Sequence, residues 1–342
     1  PYRDLVIEQY NSISAENSMK MTALQPTEGK FDFSSYTIRD VALKFGLKRI
    51  HGHTLVWSKS LPKWVVNAEN ATLPKNTTLA ARFDLIMKKH IQTVIKHYNA
   101  PTTKYRDAEG NPLMKSWDVC NEVMYDNGSY RGALDIQNGN DKGSIWYRTM
   151  GQSYIQNAYV YARQAALQNN DTNLKLFYND YGQEYSSSKR DAIYTMLMGL
   201  KQVMVDGHPV IDGVGLQMHI NYDTSNTHIE LGLRKMASTG LMVHIAELDI
   251  SINREGVPLS QTIIDQRAVL QEQKYRDVAM IYRRVVPKEQ RWGITLWNVG
   301  DKDSWLAKDA KGQQINYPCL YDINYVKKSA FHSFYAGLNV AF

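Results

Sequence analysis

The chain has 342 residues, 43% hydrophobic and 22% charged, a balance that supports a packed globular core and excludes a mainly disordered chain. With 40 basic against 34 acidic residues the net charge is +6, but the cations are scattered, as Lys88, Lys89 and Lys96 are, with no basic run of the kind that tracks a nucleic acid. The two cysteines, Cys120 and Cys319, exclude a disulfide scaffold, and no uninterrupted apolar stretch approaches the ~18 residues of a membrane span.

In chain order, a helix is predicted at 4–9, and β-branched and aromatic runs predict strands at 10–16, 49–57, 116–122, 174–181, 214–220, 242–250 and 292–299. Between strands, apolar residues recur at helical spacing. Leu79, Phe83, Ile86, Ile91, Val94 and Tyr98 form one such stripe, and Ile193, Met196, Leu197, Leu200 and Val203 another. Strand and helix alternate throughout with no Pro/Gly/Ser linker, which predicts one parallel-sheet domain over 1–342. The even spacing favours an α/β closed barrel, the (β/α)8 or TIM barrel, above a doubly wound sheet. A barrel needs one more strand than these runs supply. The expectation is that the first β-strand is missing ahead of the helix at 4–9, with the tail Asn339-Val340-Ala341-Phe342 as the lesser candidate. Two long connections, 125–145 and 251–261, follow strands where barrel enzymes carry substrate-shaping loops.

Two of the predicted strands lead into glutamates: Trp117-Asp118-Val119-Cys120-Asn121-Glu122, and Val243-His244-Ile245-Ala246-Glu247-Leu248-Asp249. The chain between them fits about three strand–helix units of roughly 30 or more residues each, so both glutamates would face the mouth of a barrel. Such a pair suits the cutting of a glycosidic bond. One carboxyl group protonates the leaving oxygen, while the other attacks the anomeric carbon or activates water. Asn121 can donate to a sugar 2-hydroxyl, and His219 can hydrogen-bond Glu247, with Gln217 two residues earlier expected on the same face. Glu16, Asn17 and Lys20 carry groups that grip hydroxyls. Trp57, Trp297 and Trp305 offer flat apolar faces suited to a pyranose ring, whereas Trp117 and Trp292 read as core, and Trp64 as either. Lys20 and His53 would complete the shell around the reacting sugar, with Asp249 behind it. Each of these types has an ordinary use as well: asparagine closes turns, histidine and tryptophan fill cores, and a Glu-Asn-x-x-Lys string opens a helix.

The same strings resemble glycoside hydrolase family 10, the retaining endo-β-1,4-xylanases, along nearly the whole chain. The segment from Asn11 to Lys20, with Pro26, Gly29, Phe31 and Phe33, resembles the family's second-strand signature. His51-Gly52-His53-Thr54-Leu55-Val56-Trp57, with Leu61, Pro62 and Trp64, resembles the third. Trp117-Asp118-Val119 with Asn121-Glu122 resembles the acid/base strand and Gln217-Met218-His219 the sixth. Glu247-Leu248-Asp249-Ile250 resembles the nucleophile strand, and Trp297 with Asp303-Ser304-Trp305 the eighth. The resemblance implies a (β/α)8 barrel, hydrolysis with retention, Glu122 as general acid/base, Glu247 as nucleophile, and Glu16, Asn17 and Lys20 on the non-reducing side of the cleavage point. It further implies a xylan or xylo-oligosaccharide substrate, a monomer without cofactor, metal, nucleic-acid partner or membrane span, and a secreted or cell-envelope location.

Departures from the pattern are Met21 for a common tryptophan, Ser58 for a common histidine, Gly182 for a common asparagine and Asn298 for a common glycine. The change at Gly182 bears on the leaving-group side, where asparagine reaches sugar. Two other assignments compete. His51, His53, His219 and Asp249 could form the metal cluster of a barrel hydrolase, or the cleft could bind carbohydrate without catalysis. Chelator-sensitive activity would favour the first and inert but ligand-binding protein the second.

Overall fold

The computed structural model describes residues 2–34, 38–132 and 143–341. They form two compact units, one of Arg3–Asp180 and Asp191–Gly213, the other of Pro1–Tyr2, Tyr181–Arg190 and Val214–Phe342.

The first unit holds β1 (Ser12–Ser14), β2 (Arg49–Gly52), β3 (Met114–Asn121) and β4 (Lys175–Asp180), paired in that order and all parallel. Parallel neighbours need crossover connections, and helices supply them. The longest here, Leu79–Asn99, starts where the Thr78 hydroxyl accepts a hydrogen bond from the Ala81 amide, and its apolar stripe buries Phe83, Ile86, Ile91, Val94 and Tyr98. Each such side chain contributes about 1.5–3 kcal/mol when fully buried. β3 is buried at every position but one, as expected of a strand covered on both faces. Trp117 is wholly buried against Gly52, where a Cβ would come within 2.2 Å of the indole. A short antiparallel hairpin, β5 (Met204–Val205) with β6 (His208–Pro209), is too brief for a sequence pattern to reveal. Val203 lies beyond the helix Ser187–Leu200 rather than inside it.

The second unit holds β7 (Gly213–Leu216), β8 (His219–Asn221), β9 (Met242–Ser251) and β10 (Arg291–Leu296), with β8 and β10 each parallel to β9. The single run expected at 214–220 is two strands. Met218 takes a left-handed φ of +62°, which breaks the extended chain between Gln217 and His219. The helices Asn226–Ala237, Gln261–Val285 and Ser329–Asn339 alternate with these strands. Among the described residues the tail is no strand: Asn339 closes the last helix, and Val340 and Ala341 are coil, the Val340 carbonyl accepting from Arg283; Phe342 lies outside the described residues. Among the described residues the first strand is β1, preceded by the helix Tyr2–Gln9.

Candidate active site

The candidate residues fall into two groups, one in each unit. In the first, Glu122 comes immediately after β3 with φ +52°, a backbone conformation rare for any residue but glycine. Its amide donates to the Asn179 carbonyl at 3.0 Å, and its own carbonyl accepts from Arg131 Nε at 3.0 Å. Held at both backbone ends, the residue turns its side chain off the strand's alternation. Trp57 Nε1 donates to Glu122 Oε2 at 3.0 Å, and Lys59 Nζ stands 3.6 Å from the same oxygen. Trp57 is itself fixed through its carbonyl, which accepts from Trp146 Nε1 at 2.9 Å.

The same unit carries the other candidate polar groups of this half. Lys20 Nζ donates to Asn17 Oδ1 at 2.9 Å and sits 4.9 Å from the Trp57 ring centroid. Glu16 precedes them and is half-buried. Asn121 is buried at the end of β3, its amide bonded to the Val56 carbonyl at 3.0 Å. His53 Nδ1 lies 2.9 Å from Asp118 Oδ2, and His51 Nε2 lies 3.0 Å from Asp118 Oδ1. His51 Nδ1 also meets Ser116 Oγ at 2.6 Å. Burial opposes ionisation of Asp118, but the imidazoles of His51 and His53 outweigh it and hold the carboxyl well below the usual range. The two histidines converge on one carboxylate, and among the described residues no group of three or more His, Cys, Asp or Glu side chains is arranged to hold a metal ion.

In the second unit Glu247 lies inside β9, which runs on to Ser251. This matches the strand predicted at 242–250, although Glu247 is not at a strand end as Glu122 nearly is: the apolar run continues through Leu248, Ile250 and Ile252, all buried. The Glu247 amide donates to the Gln217 carbonyl at 3.0 Å. His219 stands between two carboxylates, Nε2 at 3.1 Å from Glu247 Oε2 and Nδ1 at 2.9 Å from Asp249 Oδ1. Burial disfavours the imidazolium, yet the Asp249 and Glu247 carboxylates overcome it and raise the ring to about 10. Because the break at Met218 separates Gln217 from His219, strand alternation does not relate their side chains. Trp305 Nε1 donates to Asp249 Oδ2 at 2.9 Å, and its ring meets His219 edge-on at 5.2 Å while remaining 55% exposed. Trp297 is buried, its ring 6.4 Å from that of His219.

Two of the sequence departures have a backbone explanation. Asn298 has φ +82° and Gly182 φ +81°, so both positions require the left-handed region that glycine and asparagine tolerate best. The exchange of one for the other preserves the turn. Trp292 is half-buried rather than core, and Trp64 donates from Nε1 to the Gln25 carbonyl at 2.9 Å. Of the loop expected at 125–145, residues 133–142 lie outside the described residues; the 251–261 loop is pinned by Asn253 Nδ2, which donates to the carbonyls of Val257 and Ile315. Sequence reasoning gave no role to Asp118, Lys59 or Arg131. Asp118 was detectable, since it alternates with Ser116 along a strand facing two histidines; Arg131 lies beyond any periodic segment.

The chain matches the Glycosyl hydrolase family 10 profile over residues 1–336. It is 33% identical over 335 residues to endo-1,4-beta-xylanase A of Thermoanaerobacterium saccharolyticum, covering 97% of this chain and 25% of that protein. It is likewise 33% identical to exoglucanase XynX of Acetivibrio thermocellus, covering 97% of this chain and 26% of that one. The chain thus spans about a quarter of the length of these two curated relatives. A solved structure of the intracellular xylanase TsXylA from Thermoanaerobacterium saccharolyticum, a variant in complex with xylotriose, superposes with a TM-score of 0.77 at 30% identity, covering 98% of this chain and 90% of that one. The fold is accordingly the (β/α)8 barrel expected from the alternation of strands and helices. No helix among the described residues is long and apolar enough to cross a membrane.

Proposed function

The chain belongs to glycosyl hydrolase family 10, and from that premise we propose that it is a retaining endo-1,4-β-xylanase acting as one catalytic domain over 1–342, with Glu122 as acid/base and Glu247 as nucleophile. The observation that carries the reading is the unequal setting of the two carboxylates. Glu247 is coupled to an imidazole that two carboxylates keep charged, a setting that maintains a bare anion ready to attack the anomeric carbon. Glu122 sits on a left-handed backbone beside the Trp57 indole, positioned off its strand for exchange of a proton with the glycosidic oxygen.

In the first step Glu122 protonates the leaving oxygen as Glu247 forms a glycosyl ester. In the second, Glu122 takes a proton from water, which cleaves that ester and restores the original anomeric configuration. Trp57, Trp297 and Trp305 support sugar faces; Lys20, Asn17, Glu16, His53, Asn121, Gln217 and His219 hold hydroxyls, and Asp249 holds His219. The TsXylA complex with xylotriose and the endo-xylanase relative support xylo-oligosaccharide as substrate. With an exoglucanase among the relatives, release of short products from chain ends is the alternative to internal cleavage. Export to the cell surface or medium follows from the family resemblance, whereas TsXylA is an intracellular xylanase. The enzyme is taken as a monomer that uses neither metal nor cofactor.

Proton NMR of fresh xylo-oligosaccharide hydrolysate tests the mechanism: β-anomer must appear first, and initial α-anomer would mean inversion. A falling viscosity of xylan well ahead of reducing-end release would establish internal cleavage; release of one short product from the outset would contradict it.

A further inference from the structure

Glu122, Val123 and Met124 leave β3 as a buried segment in which every backbone polar group has a partner. The amides all go to consecutive residues of β4: Glu122 N donates to the Asn179 carbonyl at 3.0 Å, Val123 N to the Tyr178 hydroxyl at 3.3 Å and Met124 N to Asp180 Oδ2 at 3.4 Å. The carbonyls all accept from Arg131, that of Glu122 from Nε at 3.0 Å, that of Val123 from the amide at 2.7 Å and that of Met124 from a terminal guanidinium nitrogen at 3.4 Å. Tyr178 in turn donates to Asp180 Oδ2. Burial and the Asp180 carboxylate push the Tyr178 hydroxyl well above its usual range, so it keeps the proton it donates and receives the Val123 N–H on a lone pair. Some of these bonds are long, and the hold lies in the whole set, in a place where Tyr178, Asp180 and Arg131 are all buried away from competing water.

On the reading that Glu122 is the acid/base, we propose that Tyr178, Asp180 and Arg131 are positioning residues for its carboxyl group, acting through the backbone of 122–124. The φ of +52° at Glu122 is a conformation that persists only where its surroundings over-determine it. The clamp does so from both sides, with β4 holding the amides and Arg131 the carbonyls. Turning Glu122 back to an extended φ would break bonds on either side and swing the side chain with the backbone. The same bonds therefore fix the direction of the carboxyl group. Proton transfer depends on that direction, because the acid must come within about 2.6–3.2 Å of the oxygen it protonates. The three residues bind backbone and carry no proton in the reaction.

The test is the slope of log kcat/KM against leaving-group pKa over a series of aryl xylobiosides, for wild type, Tyr178→Phe, Arg131→Lys, Asp180→Ala, Asp180→Asn and Glu122→Ala, with urea midpoints to show that each is folded. The slope reads how much proton the leaving oxygen receives, which a loss of packing alone does not move. It is expected to be shallow in wild type and steeply negative in Glu122→Ala. Tyr178→Phe deletes the acceptor of the Val123 amide, and Arg131→Lys has no planar fork to span the Glu122 and Met124 carbonyls. Both are expected to fall between those limits, with kcat/KM on the poorest leaving groups lower by about tenfold or more. Asp180→Asn, which keeps an acceptor oxygen, is expected to recover part of the slope lost in Asp180→Ala. Tyr178→Phe removes a single oxygen and decides the matter if the charge variants do not fold. A wild-type slope in the clamp variants, whether or not all rates fall in parallel, would overturn the clamp and leave Glu122 as acid/base. A wild-type slope in Glu122→Ala would overturn the acid/base reading and the clamp with it.

Discussion

His219 joins Glu247 to Asp249: its two ring nitrogens lie 3.1 Å and 2.9 Å from carboxylates that are two residues apart on β9 and so share a face. Three charged groups in a buried site are tolerable because the cation lies between the anions. Removing Asp249 leaves His219 with one carboxylate, which lowers its affinity for the proton. Asp249→Asn is expected to reduce kcat by about tenfold or more, a barrier change of at least ~1.4 kcal/mol, and to lower the pH at which the His219 ring loses its proton, followed by NMR of the imidazole. A His219 titration unchanged from wild type would mean that Asp249 serves packing alone.

Glu122 and Glu247 differ in what their loss should do. Glu247→Ala removes the proposed nucleophile, and turnover should fall by several orders of magnitude on every substrate. Glu122→Ala should lose as much on xylan, yet retain fast first-step cleavage of an aryl xylobioside whose leaving group needs no proton. Azide should restore its second step and give a β-glycosyl azide. Stopped-flow release of the phenol and mass analysis of the product check this. Equal losses for both variants on the activated substrate would reverse or dissolve the division of roles.

Asp118 is the shared partner of His51 and His53 and is 1% exposed. Asp118→Asn leaves two buried imidazoles facing an amide, the case in which one partner of a buried charged cluster is removed. The expected cost is about 3–5 kcal/mol of unfolding free energy, read as a lower midpoint in urea. A midpoint close to wild type would mean that the cluster stores little energy.

Glu184 is 1% exposed, and burial raises its carboxyl to about 7. An unfolded glutamate titrates near 4.3, so between about 4.3 and 7 the folded chain holds a proton that the unfolded chain releases. Stability from this group is full below that window and falls as pH rises through it. The loss amounts to up to ~3 kcal/mol by neutral pH. Glu184→Gln, always neutral, should flatten the decline of Tm over that range and give a higher Tm at pH 7. A decline of undiminished slope would place the titration elsewhere.

The strands and most helices were legible because burial on both faces forces apolar runs, as in β3 and β9, and because stripes such as Phe83 to Tyr98 must face a core. What escaped depends on single torsions and distant partners. Nothing in Gln217-Met218-His219 announces the left-handed turn at Met218. The indole–carboxylate bond from Trp57 to Glu122 joins residues 65 apart in sequence. Asp118 was visible as a letter in a motif, but its function as a clamp for two histidines follows only from their convergence in space.

As nucleophile, Glu247 would bond covalently to the sugar. Incubation with an activated 2-deoxy-2-fluoro-xylobioside, which slows the second step and traps the ester, followed by peptic digestion and mass spectrometry, addresses it directly. One label per chain is expected, on Glu247 in the peptide containing His244 to Asp249, and none in Glu247→Gln. A label on another carboxylate, or rapid turnover with none trapped, would contradict it.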